Sequence, residues 1–206
     1  MTITTSMLTN RSIANLLTAM IASVLLFSCK KEKDNSPSPA SKIAESENLV
    51  IPVAIDLPAN IPQGNSRVAT FYAEGVQKYK SQVKAGSSPV TFEWVFVAPQ
   101  ADLYDANNKK VGTHSAGPTW QLFGTADSIY GQAYSPAKSA PSPDGTSIDW
   151  LQLTLKKAPT GVFTSVNYIQ RIATKGGKAP VELPTTANAT VDVPYTAIYR
   201  FSRKNP

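Results

Sequence analysis

Residues 90–97 read VTFEWVFV, and their regular alternation decides the fold class. Phe92, Trp94 and Phe96 fall on one face of an extended chain, because successive side chains of a strand point to opposite faces. Aromatic and β-branched residues also favour strands over helices. The pattern predicts a β-strand, which we expect to end at Pro99, since proline cannot donate a ladder hydrogen bond.

The same period of two continues on both sides of this strand, interrupted by turn residues. Asn107-Asn108 and residues 124–127 each separate two alternating segments, as the turns of β-hairpins do. Residues 195–201 place Tyr, Ala, Tyr and Phe at alternate positions, and no helical period is evident. Roughly nine or ten short strands separated by turns predict an all-β fold, either an antiparallel β-sandwich or an open barrel.

Glycine and proline set the expected boundaries of several strands. Pro52 predicts an edge strand at residues 49–57, and Gly75 is expected to divide residues 67–83 into two short strands. Residues 135–145 contain three prolines and are predicted to form a loop.

Residues 1–28 have the pattern of an export signal. They contain one base, Arg11, and no acid, and residues 13–27 are mostly apolar. This apolar run is shorter than the roughly 20 residues that span a bilayer comfortably. The adjoining Leu26-Phe27-Ser28-Cys29 resembles the bacterial lipobox, in which the cysteine is lipidated and becomes the new N terminus. An ordinary signal peptide with an incidental cysteine, or an uncleaved anchor, is the alternative.

Cys29 is the single cysteine of the chain, which excludes an internal disulfide and a cysteine-rich zinc site. Acyl chains attached to Cys29 would hold the protein to a membrane. We therefore predict a lipoprotein that is exported to the bacterial cell envelope and lipid-anchored at the outer membrane or cell surface.

The segment 29–48 is polar, contains Ser-Pro-Ser-Pro and has one large aliphatic residue, Ile43. Such a segment buries too little apolar area to offset the entropy lost on ordering it. The predicted organisation is therefore a lipoprotein signal peptide at 1–28, a flexible, disordered tether at 29–48 and one all-β domain at 49–206.

The charge balance and the glycine pattern limit the partners. The chain has 20 Lys and Arg against 14 Asp and Glu, a net charge of +6, and the basic residues are scattered. Nucleic-acid binding favours a basic stripe with stacking aromatic residues, so no nucleic-acid partner is expected. No glycine fingerprint opens a helix after a strand, and no cofactor is expected.

Several short motifs occur in a fixed order between residues 65 and 202. They are Gly75-Val76-Gln77, Trp94-Val95-Phe96, Ala101–Asp105, Val111–His114, Ala116–Trp120, Trp150-Leu151, Tyr168–Arg171, Thr174–Pro180 and Val193-Pro194-Tyr195. As a set they resemble the DUF3455 family, a domain of unknown function found in bacteria and fungi and often secreted. The resemblance implies a family but no mechanism.

His114 is the single histidine, and it lies beside the Gly117-Pro118 break. It could be a base, a hydrogen-bond donor or a ligand, or a structural residue that closes the turn. One histidine cannot supply the several nitrogen or sulfur ligands of a typical zinc site, so no metal is predicted.

Asp149 and Arg171 are the charged candidates for a site. By alternation Asp149 shares a face with Leu151 and Leu153, so its carboxylate should have a partner. Arg171 could form a bidentate clamp on the carboxylate of Asp149, of Glu93 or of a ligand.

Trp120 and Trp150 are the aromatic candidates. Trp150 alternates with Gln152 and Thr154, so we expect it to face away from the leucine side of its strand, where it could stack on a sugar. Burial beneath residues 135–145 is the alternative.

These features favour a membrane-anchored module that binds a glycan or small molecule, rather than an enzyme. The ligand-binding candidates are His114, Trp120, Asp149, Trp150 and Arg171. Two alternatives remain open. One is a cofactor-free hydrolase that uses His114 with an acid, and the other is a structural or adhesive protein of the envelope.

Overall fold

The computed structural model describes residues 36–57 and 64–206. The predictions for residues 1–35, including the signal peptide and lipidation of Cys29, lie outside this part of the chain. Within it there are one α-helix, two single turns of 3-10 helix and eight strands. They are α1 (Pro39–Ser46), 3-10 turns at Val53–Ile55 and Gly161–Phe163, and strands β1 (Asn65–Val83), β2 (Phe92–Tyr104), β3 (Lys110–Ser115), β4 (Thr119–Leu122), β5 (Ser128–Ala140), β6 (Trp150–Leu155), β7 (Tyr168–Gly176) and β8 (Thr190–Lys204).

The eight strands form a closed antiparallel barrel in which each strand pairs with the next along the chain. β8 returns to pair with β1, with Phe71 opposite Tyr199, and this pairing closes the sheet. The all-β, antiparallel prediction is confirmed, and the architecture is a barrel without a free edge. No helix among the residues described has the length and apolar character needed to cross a bilayer.

Strands β1, β2 and β5 are longer than the sequence predicts. Gly75 does not divide β1: a side chain there would collide with the Gln100 carbonyl oxygen, so glycine permits the close approach of β2. Pro99 does not end β2 but pairs with Gln77 beside a bulge. β5 continues through Pro136, again at an irregularity in the ladder. Three expected breaks are therefore accommodated within strands.

One end of the barrel is filled by apolar side chains, and we call it the plugged end. Phe163, in the 3-10 turn before β7, is fully buried there with Phe71, Phe201 and Val166. The ring centroids of Phe163 and Phe201 lie 5.0 Å apart, and those of Phe71 and Phe201 lie 5.8 Å apart. Such contacts between aromatic rings add to the stabilisation from burial.

A second apolar cluster lies on the outer face of the barrel. Ile43 of α1 and Ile55 of the first 3-10 turn pack there against Trp150, Ile172 and Ile198. The N-terminal segment of the described chain thus covers an apolar outer surface of β6, β7 and β8, which explains why both faces of these strands are buried.

Hydrogen bonds from the barrel hold this covering segment. Arg200 Nη2 donates to the Ser46 carbonyl oxygen over 2.6 Å, and Gln170 Nε2 donates to that of Ile55 over 2.7 Å. The predicted disorder is wrong for residues 39–46, and the predicted edge strand at residues 49–57 is wrong as well, since no strand forms there.

Local signals for α1 were present in the sequence. Ser38 caps the helix by accepting from the Ser41 backbone amide, and Pro39 occupies the first turn, where proline is tolerated. A helix this short depends on tertiary packing for its stability. The surface that Ile43 contacts is formed by strands more than 100 residues away along the chain.

Candidate functional site

The end of the barrel opposite Phe163 holds a cavity of about 340 Å³, which we call the mouth cavity. The turn between β3 and β4, at residues 116–118, forms part of its rim. Its walls are mostly apolar, with the polar groups of Gln77, His114, Arg171 and Tyr199 among them. The lining residues are Gln77, Phe96, Val97, Pro99, His114, Ala116, Gly117, Pro118, Trp120, Leu151, Leu153, Arg171 and Tyr199.

Strand register brings three of the five predicted ligand-binding residues to this cavity. His114 on β3 pairs with Trp120 on β4. Arg171 on β7 pairs with Leu151 on one side and Tyr199 on the other. The side chains of His114, Trp120, Leu151, Arg171 and Tyr199 border the same space because each points into the barrel at the same end.

His114 is fixed and almost fully buried, with 3% of its surface exposed. Its ring stacks on Trp120 with centroids 4.5 Å apart and planes 13° apart, and it contacts Tyr199 at 4.8 Å. Nδ1 lies 2.9 Å from the Thr119 carbonyl oxygen. A carbonyl oxygen can only accept, so Nδ1 carries the proton and Nε2 is left as an acceptor.

The surroundings of His114 keep its imidazole neutral. Burial, aided by the nearby charge of Arg171, lowers the pKa of His114 from 6.5 to about 3, against the opposing effect of the hydrogen bond to Thr119. A group with this pKa is a very weak base at neutral pH.

Arg171 carries the charge of the mouth cavity. Its Nε and Nη2 donate to the backbone carbonyl oxygen of Asp149 over 3.2 and 2.8 Å. None of the ion pairs between described residues includes Arg171. Its positive charge also favours the ionised forms of Tyr195 and Tyr199, although burial raises both pKa values.

The carboxylates expected to pair with Arg171 lie elsewhere. The Asp149 side chain is exposed, so the expectation that it shares the core face with Leu151 does not hold, and only its backbone carbonyl contacts Arg171. Glu93 accepts a hydrogen bond from Gln82 Nε2 over 3.2 Å. Neither acid lines the mouth cavity.

Three buried polar atoms beside the cavity make no hydrogen bond to any residue that the structure describes. They are Gln77 Nε2, Trp120 Nε1 and Tyr199 Oη. Tyr195 Oη, next to Tyr199, shares this condition. Tyr195 and Tyr199 influence each other's pKa, but their hydroxyls do not meet hydrogen-bond geometry. Buried polar groups normally have partners, which water or a ligand in the cavity can supply here.

Trp150 lies away from the mouth cavity. It faces outward on β6, is buried in the outer cluster, and borders a separate cavity of about 250 Å³ beside α1. Its cover comes mainly from the N-terminal segment and Ala140. The structure therefore brings His114, Trp120 and Arg171 together and leaves Trp150 and the carboxylate of Asp149 apart from them.

Sequence reasoning did not select Gln77, Leu151 or Tyr199 as site residues. Gln77 belongs to the Gly75-Val76-Gln77 motif, and Tyr199 belongs to the alternation at residues 195–201, so both segments had been noted. Their meeting at one site depends on the register that joins β8 to β7 and β1, which the sequence alone does not show.

The structure places no group of three or more His, Cys, Asp or Glu side chains in metal-binding proximity within residues 36–57 and 64–206. The residues at the mouth are suited instead to an organic ligand, because they combine aromatic and aliphatic surface with one guanidinium.

The chain belongs to the family described as "Protein of unknown function (DUF3455)", whose profile matches residues 62–203. The resemblance inferred from the motifs is confirmed. Comparison with curated proteins and with solved structures gave no match.

Proposed function

We propose that this DUF3455 barrel is a binding protein that takes up a small organic molecule in the mouth cavity. The main support for this proposal is the composition of that cavity. It contains one guanidinium that has no acidic partner among the described residues, and its walls are apolar and aromatic. A volume of about 340 Å³ lies within the range of roughly 300–1,000 Å³ that is usual for ligand pockets.

The geometry favours a small molecule over a glycan. Trp120 is fully buried against His114, and Trp150 is buried beneath the N-terminal segment. Neither indole therefore offers an open face on which a sugar could stack. The apolar walls also provide few hydrogen-bonding groups for the hydroxyls of a sugar.

A hydrolase that uses His114 with an acid is less well supported. The low pKa of His114 makes it a poor general base, and its Nδ1 bonds to a backbone carbonyl where a catalytic dyad would use a carboxylate.

Ligand binding can be tested by a thermal-shift screen of small organic acids, neutral molecules and oligosaccharides. The variant Ala116→Trp places a bulky side chain at the exposed rim of the cavity. Ala106→Trp makes the same change in the exposed β2–β3 turn, which lies at the other end of the barrel, and serves as the matched control.

We expect molecules that stabilise the wild type and Ala106→Trp but not Ala116→Trp. Binding that is equal in the two variants would place the ligand elsewhere. A complete absence of stabilising molecules would contradict the proposed function.

We further propose that the barrel is exported and attached to the bacterial cell envelope through lipid on Cys29. The support is the apolar segment 13–27 followed directly by the single cysteine. In a bacterial host, Cys29→Ala should release the protein from membranes, whereas Ser28→Ala should leave it attached. Persistence of Cys29→Ala in membranes after high-salt washing would refute the lipid anchor.

A further inference from the structure

Arg171 is the only formally charged side chain among the residues that line the mouth cavity, because His114 is neutral. The side chain of Arg171 is half-buried among apolar walls and has no counter-charge among the described residues. An anionic group in the cavity would supply that counter-charge.

The guanidinium is also oriented. Two of its N–H groups are held by the Asp149 carbonyl oxygen, which fixes the plane of the group and leaves the remaining N–H groups available. A planar fork of donors matches the two oxygens of a carboxylate. One cation pairs with one negative charge, which favours a monocarboxylate over a dianionic phosphate.

Two neutral donors line the same cavity as this cation. Tyr199 lies beside Arg171 in the register, and Gln77 lines the same cavity. Tyr199 Oη and Gln77 Nε2 have no partner among the residues described, and both can donate to an oxygen atom.

Apolar surface makes up the rest of the cavity. Leu151, Leu153 and Trp120 form its inner wall, and the exposed side chains of Phe96 and Val97 extend from it to the rim. Burying an apolar body here gains free energy in proportion to the area removed from water.

Resting on the proposed function, we propose that the ligand is a small carboxylic acid with an apolar body. Its carboxylate binds Arg171, and its apolar body packs against Trp120, Leu153 and the rim at Phe96. This choice gives the unpaired cation its counter-charge and uses the apolar walls in one molecule.

The test compares two probes of nearly equal shape, 2-naphthoate and its neutral amide, 2-naphthamide. Binding of each to the full-length chain is measured at pH 7 by calorimetry and by quenching of tryptophan fluorescence. The variants are Arg171→Met, which removes the charge, and Arg171→Lys, which keeps the charge but not the fork. Arg203→Met changes an exposed arginine of β8 and is the matched control.

We expect 2-naphthoate to bind the wild type and Arg203→Met at least tenfold more tightly than 2-naphthamide. Arg171→Met should bind both probes with equal affinity, and Arg171→Lys should retain part of the preference. Equal binding of the two probes to the wild type would overturn the carboxylate inference and leave the proposed function standing. Binding of neither probe would overturn the inference too, and the thermal-shift screen with Ala116→Trp would then decide the proposed function separately.

Discussion

The two ends of the barrel are built from the same strands and yet differ in chemistry. β8 supplies Phe201 to the plugged end and Tyr199 to the mouth, and β7 supplies Ile169 and Arg171 in the same way. A step of two residues along a strand keeps a side chain inside the barrel. Within that one step, the interior changes from purely apolar to polar and charged.

The difference assigns stability mainly to the plugged end and the candidate binding site to the mouth. The plugged end follows the usual rule for a core, with aromatic rings in mutual contact. The mouth differs, because polar atoms of Gln77, Trp120 and Tyr199 are buried there without a hydrogen-bond partner in the described part of the chain. Such groups lower stability unless something binds them, so they are expected at functional sites. Substitutions at the two ends should therefore have opposite consequences.

The largest effect is expected at the plugged end. Phe163→Ala should lower the free energy of unfolding by about 3–5 kcal/mol, because it removes a fully buried ring that contacts Phe71 and Phe201. Urea unfolding followed by circular dichroism measures it. Phe123→Ala is the control, since that ring is 53% exposed and should contribute little. Similar losses for the two variants would mean that the ring of Phe163 does not anchor this end.

The second prediction is a loss of stability at acidic pH that is caused by His114 at the mouth. Because the folded-state pKa of His114 is depressed, the unfolded chain takes up the proton first. The stability that depends on neutral His114 is fully present above pH 6.5, and it falls as the pH is lowered towards 3. The loss should be about 1.4 kcal/mol for each pH unit well inside this window.

Urea unfolding at pH 7, 5.5 and 4.5 would reveal this slope. His114→Phe keeps an aromatic ring on Trp120 but has no titrating group, so its stability should change less over the same range. Asp105 also has a lowered pKa, and its carboxylate contributes to acid sensitivity in both proteins, which is why the difference between them is the informative quantity. Identical slopes would show that His114 is not buried in its neutral form.

The comparison of the two ends also shows what could be predicted from sequence. Alternation at residues 195–201 correctly identified the inward face of β8, because the period of a strand is a local property. The strand boundaries at Gly75 and Pro99 were wrong, since both residues are accommodated through contacts between β1 and β2 that no local pattern contains. Local rules described the faces better than the ends.

The site was predicted only in part for the same reason. His114 and Trp120 are six residues apart along the chain and face each other across one hairpin, so their association follows from a local turn. Arg171 joins them only through closure of the barrel by β7, β8 and β1. Trp150 does face away from the leucine side, but that outer face of β6 is covered by an N-terminal segment that was expected to be disordered. The expectation that the Asp149 side chain shares the core face is wrong, since this side chain is exposed.

A smaller effect should distinguish satisfied from unsatisfied tyrosine hydroxyls. Tyr79 Oη donates to the Gly177 carbonyl oxygen over 2.6 Å, whereas Tyr199 Oη has no partner among the described residues. Tyr79→Phe should therefore lower stability by about 1–2 kcal/mol, and Tyr199→Phe should leave it unchanged or raise it by up to about 1 kcal/mol. Both are measured by urea unfolding without added ligand. A loss for Tyr199→Phe as large as that for Tyr79→Phe would show that the hydroxyl is bonded after all.

The smallest effect on stability is expected for the residue that matters most for binding. Arg171→Met gives up two hydrogen bonds to the Asp149 carbonyl oxygen, but Asp149 is an exposed residue and water can replace them. It also removes a cation that has no acidic partner at the mouth. These terms oppose each other, so the free energy of unfolding should change by less than about 1 kcal/mol. If Arg171→Met instead destabilises the barrel as much as Phe163→Ala does, the mouth is part of the stabilising core and the contrast between the two ends fails.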